Sequence, residues 1–268
     1  MEKIALTGAP ETMLATLYGR ALDAKAPKSF LHDTTAAETV ARIDYDFRRT
    51  GVTPSTAAGV ALRARQLDVW TAEFLRANPV ATVLHLACGL DTRAHRLAPG
   101  PDVRWVDVDL PEVVELRRRL LDPPAGDYRL VASSVTDAAW PADVPADRPT
   151  VVVCEGLTMY LHEHEVRDLF RRVAERFPGG ELLFDVYGSV GIRLQKLVPA
   201  VRRSGSTLHW GLDDPRSIEP WGLRLVSDVR SVSLPGTDEL PAAQRFPLRV
   251  MAKVPGLRDI GRLLRYRY

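Results

Sequence analysis

A small-residue turn and a carboxylate twenty residues beyond it form the chemically most suggestive pairing in this 268-residue chain. An apolar, strand-like stretch from Val80 runs through Leu84-His85-Leu86 into Ala87-Cys88-Gly89, and Leu90-Asp91-Thr92-Arg93 then opens a short helical segment. Side chains as small as those of Ala87 and Gly89 let a backbone come close to a ligand, and a helix start offers free N–H groups. Asp109 closes the next strand-like run, Val103 to Val108, and Leu110 follows it. A carboxylate about 20 residues past such a turn is where a nucleotide-binding βαβ unit holds a ribose. The turn reads Ala-Cys-Gly rather than Gly-x-Gly-x-x-Gly, so the pattern points to an adenosine more than to a pyrophosphate. Asp107 is the fallback carboxylate, expected on the opposite face of its strand.

Further candidates sit at the ends of later apolar runs. Ser134 and Val135 close a third strand, where a side chain and a backbone N–H can meet an adenine edge. Cys154-Glu155-Gly156-Leu157-Thr158-Met159-Tyr160 closes a fourth and brings a carboxylate and a phenol to the carboxyl edge of the sheet, where open α/β folds bind ligands. Arg63, within a long helix ahead of the first strand, can supply a cation to the same crevice. Blander roles fit other residues better. Asp91 reads as a helix N-cap, Arg93 as the partner of a structural carboxylate, Cys154 as a buried small residue, and His162-x-His164 as a solvated pair.

The elements that must position these groups follow from periodicity. The first third is helical: Met13, Leu14, Leu17, Ala21 and Leu22 share one face, and Thr35-x-x-Glu38 reads as a capping box before a second helix that Gly51 stops. Pro54 opens a longer helix to about Ala77, ended by Asn78-Pro79. Strands are expected at Ala81–Leu86, Val103–Val108, Tyr128–Ala132, Thr150–Cys154 and Glu181–Tyr187, with helices from Pro111 and Glu163 between them. Such apolar runs suit a parallel sheet covered on both faces. Residues 1–78 then form a helical cap, 79–187 a nucleotide-binding core, 188–220 a lid rich in Gly and Pro, and 221–268 the last strands of one α/β domain. Those last strands are Trp221–Ser233 and an Arg262–Tyr268 strand with an exposed polar face.

Composition narrows the class. The formal charge of +2 provides no general attraction to nucleic acid or anionic membrane. Two cysteines, Cys88 and Cys154, make neither a disulfide framework nor a zinc site. No stretch reaches the roughly 20 apolar residues of a membrane span, and no signal-peptide pattern opens the chain, so a cytoplasmic enzyme is the expectation.

The segments LACGLDTRAHRL, VDVDLPEV and CEGLTMYL resemble the leucine carboxyl methyltransferase family, whose bacterial members include O-methyltransferases of polyketide and other natural-product pathways. ETMLATLYGRALDA and LRARQLD are similar too, so the resemblance covers most of residues 9–187. It implies a class I methyltransferase Rossmann-like sheet of strand order 3-2-1-4-5-7-6 with an antiparallel last strand, and S-adenosyl-L-methionine as cofactor. It further implies that Ala87 and Gly89 lie against the methionine part, Asp109 and Leu110 at the ribose, and Ser134 and Val135 at the adenine. Ser134 departs from the Asp-Leu pair common there, and His95 from an aromatic residue, a change expected to affect packing alone. Arg63 would meet the cofactor carboxylate, Glu155 its amine, and Tyr160 the methyl acceptor. That acceptor would be a carboxylate of a small natural product or a peptide C-terminus, needing no general base because it is ionised at pH 7. A hydroxyl acceptor would need one, with His162, His164 or His209 as candidates. A nicotinamide-dependent oxidoreductase would share the βαβ start. Tyr160, however, has no Lys four residues on, and the glycine pattern is incomplete. A catalytically silent binding protein would keep the fold without acceptor groups such as Arg63, Glu155 and Tyr160.

Overall fold

Strands that are apolar on both sides need helices on both sides, and the chain supplies them. The computed structural model describes residues 2–3, 8–177 and 179–268. Seven strands form one sheet: β1 (Thr82–Leu86), β2 (Arg104–Asp109), β3 (Asp127–Ala132), β4 (Thr150–Cys154), β5 (Gly180–Tyr187), β6 (Arg224–Arg230) and β7 (Gly261–Arg267). Their spatial order is 3-2-1-4-5-7-6. The first five pair in parallel, and β7 runs antiparallel between β5 and β6. The helices are α1 (Ala9–Ala24), α2 (Thr34–Arg42), α3 (Pro54–Ala77), α4 (Arg93–Leu97), α5 (Pro111–Leu120), α6 (Glu163–Arg176), α7 (Ser189–Arg193), α8 (Pro199–Ser204) and α9 (Ala242–Lys253). None is long and apolar enough to cross a membrane.

Alternation sorts the sheet residues between two layers. Val83, Val151, Val153 and Leu183 pack with Leu62, Leu67, Trp70 and Phe74 of α3. Leu84, Leu86, Val106 and Val152 pack with Val166, Leu169, Phe170 and Val173 of α6 on the other side. Fully burying such a side chain contributes roughly 1.5–3 kcal/mol. Helix α3 is set in place by its own start: Pro54 occupies the first turn, and Thr53 and Thr56 cap each other's backbone N–H. That registry carries Arg63 to the carboxyl edge of the sheet.

Four local expectations need correction. Helix α2 starts at Thr34, capped by the Asp33 carboxylate on Ala36 N (3.0 Å), so Thr35-x-x-Glu38 is not its capping box. Residues 188–220, expected as a lid rich in Gly and Pro, are ordered into α7, α8 and a 3-10 turn at Pro215–Trp221 and are anchored because Trp210, Leu212 and Ile218 are buried in the core. That turn delays β6 to Arg224. Strand β7 has no exposed polar face. It lies between two strands, with Tyr266 fully buried and Arg265 paired to Glu181 (2.7 Å) and Glu73 (2.6 Å). Helix α9 escaped periodicity because Pro247 lies inside it.

Candidate active site

The loop after β1 is strained and clamped. Ala87 has φ of 52°, a left-handed conformation that costs an L side chain about 1–2 kcal/mol, and Gly89 has the same φ without that cost. Polar contacts hold the strain. Arg117 of α5 donates to the carbonyls of Gly89 (3.0 Å) and Asp91 (2.7 Å), and Arg20 of α1 donates to that of Leu90 (3.2 Å). The Asp109 carboxylate, at the end of β2, accepts from Gly89 N (2.6 Å) and Leu110 N (2.8 Å). Burial raises its pKa, opposed by those two N–H bonds.

Asp107 and Asp109 lie two residues apart and therefore share a face, contrary to the sequence expectation. Depth distinguishes them. Asp107 is fully buried and accepts from Trp105 (2.8 Å), Tyr128 (2.7 Å) and Arg117 (2.7 Å), besides its 3.1 Å contact with His85, the residue opposite it on β1. Asp109 lines the cavity instead.

That cavity, of about 560 Å³, lies over the carboxyl edge of the sheet and beneath α1, α3 and α8. It is lined by all nine residues singled out from the sequence: Arg63, Ala87, Gly89, Asp109, Leu110, Ser134, Val135, Glu155 and Tyr160. Their detailed states differ from simple expectation. Arg63 is no free cation, because it bridges Glu155 (3.0 Å) and Asp185 (2.9 Å). Each carboxylate oxygen of Glu155 is occupied, one by Arg63 and one by Arg93 (2.6 Å). Burial works against ionisation of Glu155, but Arg63 and Arg93 outweigh it and hold the pKa below the ordinary value. The Ser134 hydroxyl is engaged with Thr136 Oγ1 (2.8 Å). The Tyr160 hydroxyl donates to Thr12 of α1 (3.1 Å), and burial raises its pKa.

Several lining or supporting residues escaped the sequence reading. Asp91 is not an N-cap. Thr92 holds that position, and Asp91 is buried among Arg20, Arg93 and Arg96 at 2.9–3.5 Å. Arg93 is fully buried between Asp68 (2.6 Å) and Glu155, so it orders a lining residue as well as the scaffold. Asp185 had a legible signal: a lone carboxylate in the apolar run Leu182–Val186 must find a cation. Arg20 and Arg117 had none, since each acts across the chain on a loop carbonyl. His95 meets the carbonyl of Asp122 (2.9 Å) through Nε2. The thiols of Cys88 and Cys154 are buried, which pushes both pKa values up.

The residues present fit an adenosyl cofactor. At one end, Asp109 keeps acceptor capacity beside its two N–H bonds, as a ribose diol requires. At the other, Arg63 uses two of its five N–H donors, and Glu155 and Asp91 are lining carboxylates that would favour the cofactor's cationic groups.

Comparison with known proteins agrees with this geometry. The family model described as leucine carboxyl methyltransferase matches residues 13–174. Over 269 residues the chain is 42% identical to the tetracenomycin polyketide synthesis O-methyltransferase TcmP of Streptomyces glaucescens, covering 100% of this chain and 99% of the relative. It is 43% identical over 237 residues to the S-adenosyl-L-methionine-dependent methyltransferase dpfgK of Gibberella zeae, covering 81% and 80%. Among solved structures, a DUF574 family protein of Streptomyces avermitilis shares the fold at a TM-score of 0.58 and 17% identity, over 93% of this chain and 96% of that one. The chain belongs to the leucine carboxyl methyltransferase family and is an S-adenosyl-L-methionine-dependent methyltransferase.

Proposed function

We propose that the protein methylates a carboxylate oxygen of a small organic acid. One observation carries this reading: the cavity offers hydrogen-bond donors for an anion, while its acids and its histidine are already engaged. His85 is the histidine among the described residues that lines the cavity, and its ring nitrogens face Asp107 (3.1 Å) and Arg93 (3.2 Å). His162, His164 and His209, the bases a hydroxyl acceptor would call for, stand outside the lining. Glu155 is held by two arginines.

When bound, S-adenosyl-L-methionine supplies an electrophilic methyl group whose bond to sulfur breaks as a carboxylate lone pair forms the O–CH₃ bond. With a carboxylate acceptor no proton has to move. Asp109, Leu110, Ser134 and Val135 would hold the nucleoside, and Ala87 and Gly89 would let it come close to the loop. Arg63 would draw both carboxylates, the cofactor's and the acceptor's, and Tyr160 would turn its one O–H from Thr12 to the acceptor. Holding the oxygen about 3 Å from the methyl in line with the breaking bond removes a large entropic barrier. Helices α1 and α8, whose Met13 and Val201 line the cavity, would shield the bound methyl group from water.

Product chemistry tests this directly. The product should be a methyl ester cleaved by mild alkali, and the pH–rate profile should be flat from about pH 6 to 8, since the acceptor titrates near 4. An alkali-stable product, or a rising limb near pH 6.5 from a histidine base, overturns it.

Tyr160→Phe separates chemistry from cofactor binding. It keeps the ring and removes one donor to a charged group, a loss of roughly 1.5–3 kcal/mol, or about one to two decades in kcat/KM. Cofactor affinity by calorimetry should match the parent. Full activity in this variant would make Tyr160 a packing residue that ties the 158–160 turn to Thr12.

A further inference from the structure

A second cavity, of about 480 Å³, lies against the first. Thr56, Val60, Arg63, Met159 and Tyr187 line both, so the two are separated only by shared side chains. Its walls come from α3, the ends of β5 and β7, and α9. They are largely aliphatic, with Leu62, Leu234, Leu240 and Leu248 prominent. Seven buried side-chain polar atoms lack a hydrogen-bond partner among the described residues, and three of them belong to this lining: Arg63 Nε, Gln244 Oε1 and Arg262 Nε. Those atoms lie beneath the cavity surface, so what a ligand can meet are the lining side chains that bear them, Arg63, Gln244 and Arg262, set in a largely apolar wall. The volume falls in the roughly 300–1,000 Å³ range of small-molecule sites.

We propose that this second cavity holds the apolar body of the methyl acceptor, whose carboxylate reaches past Arg63 and Tyr187 into the cofactor cavity. The inference rests on the carboxyl-transfer reading and specifies its substrate class: a compact, apolar organic acid carrying a hydroxyl or carbonyl group on the side remote from the carboxylate. Gln244 meets that remote group, and its amide can present an acceptor or a donor there. Arg63, at the junction, has Nε and one N–H on each terminal nitrogen uncommitted beyond its bonds to Glu155 and Asp185.

Gly59 makes the test clean. It lines the cavity from helix α3, a Cβ added there meets nothing within 4 Å, and leucine is the better helix former. Gly59→Leu should therefore fold normally while filling space. The measurement is calorimetric binding of acetate, 2-naphthoate and 6-hydroxy-2-naphthoate to protein loaded with S-adenosylhomocysteine. The parent should bind the hydroxynaphthoate at least tenfold more tightly than acetate. Gly59→Leu should erase that advantage while cofactor affinity stays within twofold, and Gln244→Leu should bring the two naphthoates to equal affinity. Unchanged hydroxynaphthoate affinity in Gly59→Leu, or no preference over acetate in the parent, overturns the assignment. If binding follows the expected pattern but none of the bound acids is esterified when S-adenosyl-L-methionine replaces S-adenosylhomocysteine, the cavity assignment stands and carboxyl transfer is refuted, so the two readings fail separately.

Discussion

Arg63→Ala is expected to destabilise the protein by about 3–5 kcal/mol and to abolish methyl transfer. Removing one partner of a buried ion pair leaves uncompensated charge, and here it strands Asp185 and leaves Glu155 with Arg93 alone. With marginal stabilities of about 5–15 kcal/mol, that is a large share. Asp185 is already raised by burial, so it would take up a proton and place the loss in the lower part of the range. The variant's stability should shift toward acid relative to the parent's. In the parent, Glu155 is held below its ordinary pKa by Arg63 and Arg93 against burial, so its contribution is present above the unfolded pKa and fades as pH falls through the folded one. Asp185 is raised by burial and loses the cation that opposes this, so the variant should gain stability relative to the parent as pH falls. Asp185→Asn in the Arg63→Ala background keeps the Oδ1 acceptor for Gly156 N (2.6 Å) and should restore stability without restoring activity. Urea titrations of the single and double variants check both statements. An unchanged midpoint in Arg63→Ala would show that the Arg63 bridges contribute nothing to the fold.

Asp109→Ala should weaken cofactor affinity by at least tenfold in a folded protein. Two ribose hydroxyl bonds to a carboxylate are lost, each worth roughly 1.5–3 kcal/mol, and the N–H groups of Gly89 and Leu110 lose their acceptor. Asp107→Ala should behave in the opposite way. It removes the acceptor for Trp105, Tyr128 and Arg117 and leaves Arg117 buried without its carboxylate, so it costs stability first. In the parent, a raised Asp109 pKa means that affinity should fall on acidification before pH reaches the ordinary carboxylate range near 4, because the ribose diol binds the ionised form. Calorimetry on both variants decides between the two aspartates. Unchanged affinity in folded Asp109→Ala would remove it from the ribose site.

The sheet and the cavity-facing residues were legible for local reasons. Apolar runs such as Val80–Leu86 and Thr150–Cys154 can be satisfied only by burial on both faces. The small-residue turn must follow a strand for its backbone to be exposed, and the carboxylate at 109 needs only one strand's length to reach it. Charge pairing was not legible in the same way. The partners of Arg63 lie 92 and 122 residues away, and Arg117 reaches back to Gly89.

The amino-acid sequence by itself therefore determined the strand–turn–strand frame of the nucleotide loop, the long capped helix bearing Arg63, and the placement of Asp109, Glu155 and Tyr160 at strand ends, because each depends on spacing within one element or its neighbour. Only the tertiary structure decided that Arg63 and Glu155 neutralise each other, that Asp107 is scaffold while Asp109 lines the cavity, and that a second aliphatic chamber adjoins the first. Those outcomes depend on depth and on which distant charges share a low-dielectric interior, where an unpaired ion is costly and every buried arginine must find its acids.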